Sequence, residues 1–178
     1  LGQPSVPGPA DLWVARAYRA APLSGTIGTV RTTRLLIVNP SGQPVDATAS
    51  LTGEGGTCDG RSFSVAARDI PAYDGATLDL GTATLIPDGC EGVVRVHAVG
   101  PVVVTAVVRY AADDGIVAAA AVPARQVGAM TARRLVWPLR YSQLSSGWSS
   151  DVVVANPGPA PRTVSLAFDP PAFGAPDI

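Results

Sequence analysis

The sequence is poor in the residues that cover the surfaces of helices. All 13 of its basic residues are arginine, and only Glu54 and Glu91 among its 14 acidic residues are glutamate. Charged residues make up 15% of the 178 residues, whereas a typical soluble domain has about 25%. Because lysine and glutamate are strong helix formers that suit solvated faces, we expect no long solvent-exposed helices.

The sequence also lacks an excess of positive charge and long apolar runs, which limits the partners that the chain can have. The formal net charge is −1, and binding to a polyanion needs a clustered cationic face. No apolar run approaches the length of about 18 residues that a membrane-spanning helix needs. We therefore expect no nucleic-acid partner and no membrane span. We also predict that the chain is extracellular or at the cell surface after removal of a signal peptide.

Side chains that commonly catalyse reactions or bind metals, such as histidine and cysteine, are rare in this sequence. His97, the single histidine, alternates with Arg95 onto the polar face of a predicted strand, and the GxSxG elbow of a serine hydrolase is missing. Asp113 and Asp114 could bind Ca²⁺ in a loop, but Asp114-Gly115 between apolar runs favours a hairpin turn, and the spacing of a calcium loop is missing. We predict no catalytic residue, no cofactor and no metal site.

Cysteine is scarce as well. Cys58 and Cys90 are the only two, and each stands beside glycine and aspartate in a predicted loop. Neither has a second cysteine or a histidine near it with which to bind a metal. We predict a disulfide between them, which fits an oxidising compartment; the alternative is two unpaired thiols packed as small apolar side chains.

Turn residues and short apolar runs are abundant. The chain has 19 glycines and 17 prolines, and they separate runs rich in valine and threonine, as in an all-β protein. Within 45–51 apolar and polar residues alternate, which predicts a strand with one buried face, and the turn at 39–42 predicts a hairpin with 34–38. Further strands are predicted at 62–65, 76–80, 92–99, 102–110 and 116–122. The run of four alanines within 116–122 is also compatible with a helix, but Gly115 and Pro123 enclose too few residues for one.

An internal repeat organises the chain. Residues 33–42, ending in Asn39-Pro40-Ser41-Gly42, match 150–158, which ends in Asn156-Pro157-Gly158, and the strands that follow also match. The separation of the two copies suits one immunoglobulin-like unit of about 100 residues. We predict an extended arm at 1–11, a complete immunoglobulin-like antiparallel β-sandwich repeat at 12–130, and a partial second repeat at 131–178.

The partial repeat offers three strands, near 134–140, 150–155 and 163–168, before a proline-rich arm. Three strands cannot close a sandwich, so their apolar side chains need a cover. That cover is a continuation of the chain, the first repeat, or a neighbouring molecule that adds a strand. The predicted interface residues are Trp137, Trp148, Val152, Val154, Val164, Leu166 and Phe168.

Several stretches carry a resemblance to a known class of repeat. They are Trp137-Pro138-Leu139, Gly147-Trp148-Ser149-Ser150, Val152 through Gly158, Leu85 through Gly92, and Val99 through Val104. Over nearly its whole length the chain resembles the tandem immunoglobulin-like repeats of large secreted proteins from bacteria with GC-rich genomes. The resemblance implies a stalk, fibre, surface layer or adhesin rather than an enzyme. The chain departs from that pattern in its cysteine pair and in stopping within a repeat.

The function that we expect is therefore structural. Neighbouring copies or neighbouring immunoglobulin-like repeats are the expected partners, joined by β-strand addition. The alternative is a carbohydrate- or ligand-binding adhesion module that stacks surface glycans on exposed aromatic rings. Trp148, in a loop-like stretch, is the best candidate for such a ring, whereas Trp13 and Trp137 hold matching places and are expected in the core or between repeats.

Overall fold

In the computed structural model of the chain, residues 9–23, 28–54, 56–112 and 115–126 are described, together with residues 156, 160, 161 and 163. These ranges contain strands and one short 3-10 turn, Gly56–Cys58. The strands, in chain order, are β1 (Ala10–Arg19), β2 (Ala21–Pro22), β3 (Val30–Val38), β4 (Val45–Gly53), β5 (Ser62–Ile70), β6 (Gly75–Asp79), β7 (Cys90–Ala98), β8 (Val103–Ala112), β9 (Gly115–Pro123) and β10 (Arg125–Gln126).

The strands form two antiparallel sheets of five strands each. Sheet A has the order β10-β1-β7-β4-β5, and sheet B has the order β2-β3-β8-β9, with β6 also paired to β3. The predicted fold class, an all-β sandwich, is confirmed.

The strands that the sequence predicts within the described ranges are present. Strands β3 and β4 contain the predicted segments 34–38 and 45–51, strands β7 and β8 match 92–99 and 102–110 to within two residues at either end, and the alanine run lies in β9. Strand β1 begins at Ala10, two residues before the predicted start of the sandwich. It begins earlier because Ala10 and Asp11 pair with Ala98 and His97 of β7.

The predicted hairpin between 34–38 and 45–51 is wrong. Strand β3 lies in sheet B, between β6 and β8, whereas β4 lies in sheet A, between β5 and β7. The turn at 39–42 therefore carries the chain from one sheet to the other. Turn residues specify a reversal of direction but not the pairing partner, and both strands bury one face against the core between the sheets.

The core lies between the two sheets and consists mostly of small and branched side chains. Every second residue of β4, from Val45 to Leu51, is buried, as the alternation predicts. The largest fully buried apolar side chains are Leu35, Ile37, Leu51, Ile70, Leu80 and Ile86.

Trp13 is not in this core. Leu12 and Val14 are the buried residues at that end of β1, so the alternation of the strand places Trp13 on the outer face of sheet A, where it is half-buried. The core position expected for Trp13 is wrong, whereas a contact between repeats remains a prediction.

Candidate assembly surface

Strand β9 is an edge strand with no partner on its outer side among the described residues. It pairs with β8 from Thr105–Pro123 to Ala112–Gly115 and ends sheet B on that side. Its nine residues, Gly-Ile-Val-Ala-Ala-Ala-Ala-Val-Pro, contain no charged side chain, and the proline is the last of them. An uncharged edge of this length presents backbone donors and acceptors to another strand.

The inward side of β9 is also open at one end. Residues opposite each other in an antiparallel pair point to the same face, and Val122 lies opposite the buried Ala106. Val122 is nevertheless 44% exposed, and Ala120, opposite the buried Val108, is exposed as well. Sheet A therefore does not cover the inner face of β9 at Ala120 and Val122.

Strand β5, the edge of sheet A, differs from β9 in this respect. Its nine residues end in Arg68, Asp69 and Ile70, and the pairing with β4 shifts register between Val45 and Ala47. Asp69 has a φ of 52°, and its N–H donates to Asp46 Oδ1 at 2.8 Å. A bulge and charged residues are devices that protect an edge from pairing, and the β9 edge has no charge of its own.

The outer face of sheet B beside β9 is apolar at the same end. Leu36, Val38 and Val103 are 40%, 47% and 58% exposed, and Val38 lies directly opposite Val103. Charge on this face begins further along the strands, where Asp79 binds both Arg34 and Arg109 and where Arg109 lies opposite Ala119. Edge and face together form what we call the β9 surface: residues 119–123 of β9 with Leu36, Val38 and Val103.

The predicted disulfide between Cys58 and Cys90 is confirmed. It joins the 3-10 turn after β4 to the first residue of β7, with the two Cα atoms 5.6 Å apart and both side chains fully buried. Cys90 thus begins a strand rather than lying in a loop. Beside it, Gly53 of β4 lies opposite Gly92 of β7, and the two backbones approach closely.

A charged cluster that the sequence analysis missed lies next to the disulfide. Glu91 binds Arg16 at 2.6 Å and Arg31 at 3.4 Å, and the Arg31 guanidinium lies 4.2 Å from the centre of the Tyr18 ring. Burial raises the pKa of the Tyr18 hydroxyl. No short sequence motif reveals this cluster, because its members come from three strands in two sheets.

The outer face of sheet A carries the lone histidine. His97 is exposed, as predicted, and its Nδ1 lies 3.1 Å from Asp11 Oδ1, which also accepts a hydrogen bond from Arg95. Arg95 in turn lies over the Trp13 ring, 5.9 Å from its centre. The hydrogen bond from His97, together with Arg95, lowers the pKa of the Asp11 carboxyl.

The lowered pKa of Asp11 leads to a prediction for the His97→Ala variant. Removing the ring should raise the Asp11 pKa towards its ordinary value, as measured by NMR titration of the carboxyl carbon. Because the folded-state pKa is lowered, the pairing stabilises the fold fully above the ordinary pKa, and this contribution is lost as the pH falls through the lowered value. Thr48→Ala, at the position opposite His97 on β4, is the matched control and should leave the Asp11 pKa unchanged. An unchanged Asp11 pKa in His97→Ala would contradict the assignment.

The two Asn-Pro turns of the predicted repeat share one hydrogen bond. Asn39 Nδ2 donates to Gln43 O and Asn156 Nδ2 donates to Ala160 O, each four residues further along and each at 2.8 Å. Their surroundings differ, because Asn39 is fully buried and Asn156 is exposed. The Asn156 side chain therefore makes the same local hydrogen bond as Asn39 without its burial.

All seven of the predicted interface residues lie outside the described residues. They are Trp137, Trp148, Val152, Val154, Val164, Leu166 and Phe168. Asp113 and Asp114 also lie outside, so the structure does not test the alternative of a calcium loop. Among the described ranges, no three His, Cys, Asp or Glu side chains cluster as a metal site would need, and no helix there is long and apolar enough to cross a membrane.

Comparisons with known proteins give the fold alone. No family model and no curated protein matches the chain. A solved structure, that of Thermotoga maritima 1070, is similar with a TM-score of 0.51 and 10% sequence identity, over 66% of this chain and 93% of that one. At this level of sequence identity the likeness shows a similar fold alone.

Proposed function

We propose that the chain is a non-enzymatic extracellular structural module, part of a fibre, stalk or surface layer, in which neighbouring copies join by β-strand addition. The observation that carries the proposal is the β9 edge, which is long, uncharged and open on its inward side. Soluble proteins usually protect such an edge. Among the described residues β9 has no outer partner, whereas β5, the other long edge, is protected. The β9 edge is therefore suited to receive a strand.

The disulfide and the low charge support the same proposal. A buried disulfide is compatible with an oxidising compartment. A chain with only 15% charged residues and an apolar β9 surface favours close packing between copies over independent solvation.

The environment of His97 supports a role without catalysis. The pairing with Asp11 resembles the way in which a hydrolase orients its base, but about half of each side chain is exposed on an open sheet face. Electrostatic catalysis depends on a site from which water is excluded. The pair is better suited to joining β1 to β7 at the start of the sandwich.

The alternative, a carbohydrate-binding adhesion module, would use the outer face of sheet A. Trp13 lies there, opposite Arg95 of β7, and beyond β7 Ser50 of β4 and Ser64 of β5 are 2.9 Å apart. The Trp13 ring is already engaged by Arg95, and the Asp11 carboxylate by Arg95 and His97. A sugar would have to displace these contacts, which favours the structural role.

Two matched substitutions in full-length protein test the proposal. Ala119→Lys places a charge on the exposed face of β9, and Ala66→Lys places the same charge at an exposed alanine of β5. Light scattering and electron microscopy should show assemblies of the wild type and of Ala66→Lys, and monomers of Ala119→Lys. A wild-type chain that stays monomeric at every concentration, or equal assembly of the two variants, would contradict the proposal.

A further inference from the structure

We infer that the strand that pairs with β9 is residues 163–168 of a neighbouring copy. This inference rests on the proposed function and identifies the donor that the assembly uses. It follows from side-chain size, from the repeat, and from exposure of the end of β9 in the single chain.

The inward face of β9 is lined by small side chains. Ala118, Ala120 and Val122 lie opposite Tyr110, Val108 and Ala106 of β8, and the last two of these β8 residues are buried. Alanine leaves space beside the core that a larger side chain of an added strand can fill. The segment 163–168 offers such side chains at every second position: Val164, Leu166 and Phe168.

The repeat indicates which face of the donor is apolar. The matching hydrogen bonds of Asn39 and Asn156 align the two turns, so that Val164, Leu166 and Phe168 correspond to Ala47, Ala49 and Leu51. Those three residues of β4 are each 1% exposed. Thr163 and Ser165 would then face solvent, which suits a strand that is buried on one side only.

The segment 150–155 is a poorer match for β9. It has three consecutive valines, at 152–154, so both of its faces are apolar. A strand added beyond β9 would have one face towards solvent, which the alternation of apolar and polar residues in 163–166 suits better.

The acceptor end of β9 is exposed in the single chain. The end of β9 is exposed from Ala119 to Pro123, and so are the described residues of the tail, Asn156, Ala160, Pro161 and Thr163. The chain therefore does not cover the end of its own β9 with these residues. A neighbouring copy can supply the strand and leave its own β9 for the next, so that pairing continues from copy to copy.

A complementation experiment with full-length variants tests the inference. Ala120→Arg directs a charge inward from β9 and blocks the acceptor, and Leu166→Asp blocks the donor. Each variant alone should be monomeric by light scattering. An equimolar mixture should form dimers, because one copy retains a donor and the other an acceptor.

Three controls accompany the mixture. Circular dichroism checks that each variant keeps its strands, and Ser165→Pro, which removes a donor N–H without adding charge, replaces Leu166→Asp if that variant does not fold. Ala160→Asp, an exposed change in the Asn156 turn, should leave assembly unchanged.

The outcomes separate the two proposals. If the wild type assembles and Leu166→Asp assembles equally well, the donor is wrong and strand addition at β9 stands. If both variants are monomeric but their mixture forms no dimer, the pairing of 163–168 with β9 is wrong. If the wild type does not assemble, the proposed function fails and the inference fails with it.

Discussion

Replacing Gly92 by alanine is expected to abolish the folded state or to lower the free energy of unfolding by more than about 4 kcal/mol. A Cβ at this position would lie 2.0 Å from the carbonyl oxygen of Thr52 and 2.9 Å from the Cα of Gly53. Both atoms belong to the backbone of β4, so no rotation of a side chain relieves the overlap. Strands β4 and β7 would have to separate beside the buried disulfide.

Gly60→Ala is the matched control for this prediction. Gly60 has a φ of 68°, and a Cβ there would meet nothing within 4 Å. The expected cost is about 1–2 kcal/mol, which is the strain of a left-handed alanine. Urea unfolding followed by circular dichroism measures both variants under oxidising conditions. Equal midpoints for the two variants would show that β4 and β7 can separate at little cost.

Asn39→Ala should lower the free energy of unfolding by about 3–4 kcal/mol, because it disrupts a buried hydrogen-bond network. The Asn39 amide donates to Gln43 O, Ile70 O and Pro71 O, and its oxygen accepts from both the N–H and the hydroxyl of Ser41. The side chain thus joins the turn after β3 to the turn after β5. Alanine would leave carbonyl groups at this buried position without their donor.

Asn156→Ala is the control, because Asn156 donates the same local hydrogen bond as Asn39 but is exposed. The expected change in the free energy of unfolding is below about 0.5 kcal/mol. Thermal and urea unfolding of the two variants, at a concentration where the wild type is monomeric, gives the comparison. A similar loss in both would mean that the local turn, rather than the network around Asn39, provides the stability.

Local patterns predicted much of this fold. The alternation of β4, the position of β9 between Gly115 and Pro123, and the exposure of His97 all depend on neighbouring residues, and a single sequence contains that information. The disulfide could be predicted because two cysteines in a chain without metal ligands have few other roles.

Pairing between strands could not be predicted in the same way. The partners of β3 and β4 depend on how two sheets share one core, which the turn at 39–42 does not specify. Trp13 was misplaced for a related reason: its place, which matches that of Trp137 in the repeat, suggested the core, but Leu12 and Val14 already take the inward positions of β1. The alanine run predicted a strand, whereas its place at the edge of sheet B followed only from the order of all the strands.

The pairing of β1 with β10 determines how the sandwich would respond to tension. Leu12 lies opposite Gln126 and Trp13 lies opposite Arg125, in antiparallel orientation, so the chain enters and leaves the sandwich at the same end. Pulling on the two ends would open this short ladder one pair at a time rather than shear it as a whole. The force would act on β1 and β10 and would not pass through the other strands of the sandwich. A strand added at β9, at the edge of the other sheet, would transmit force between copies through a different part of the fold.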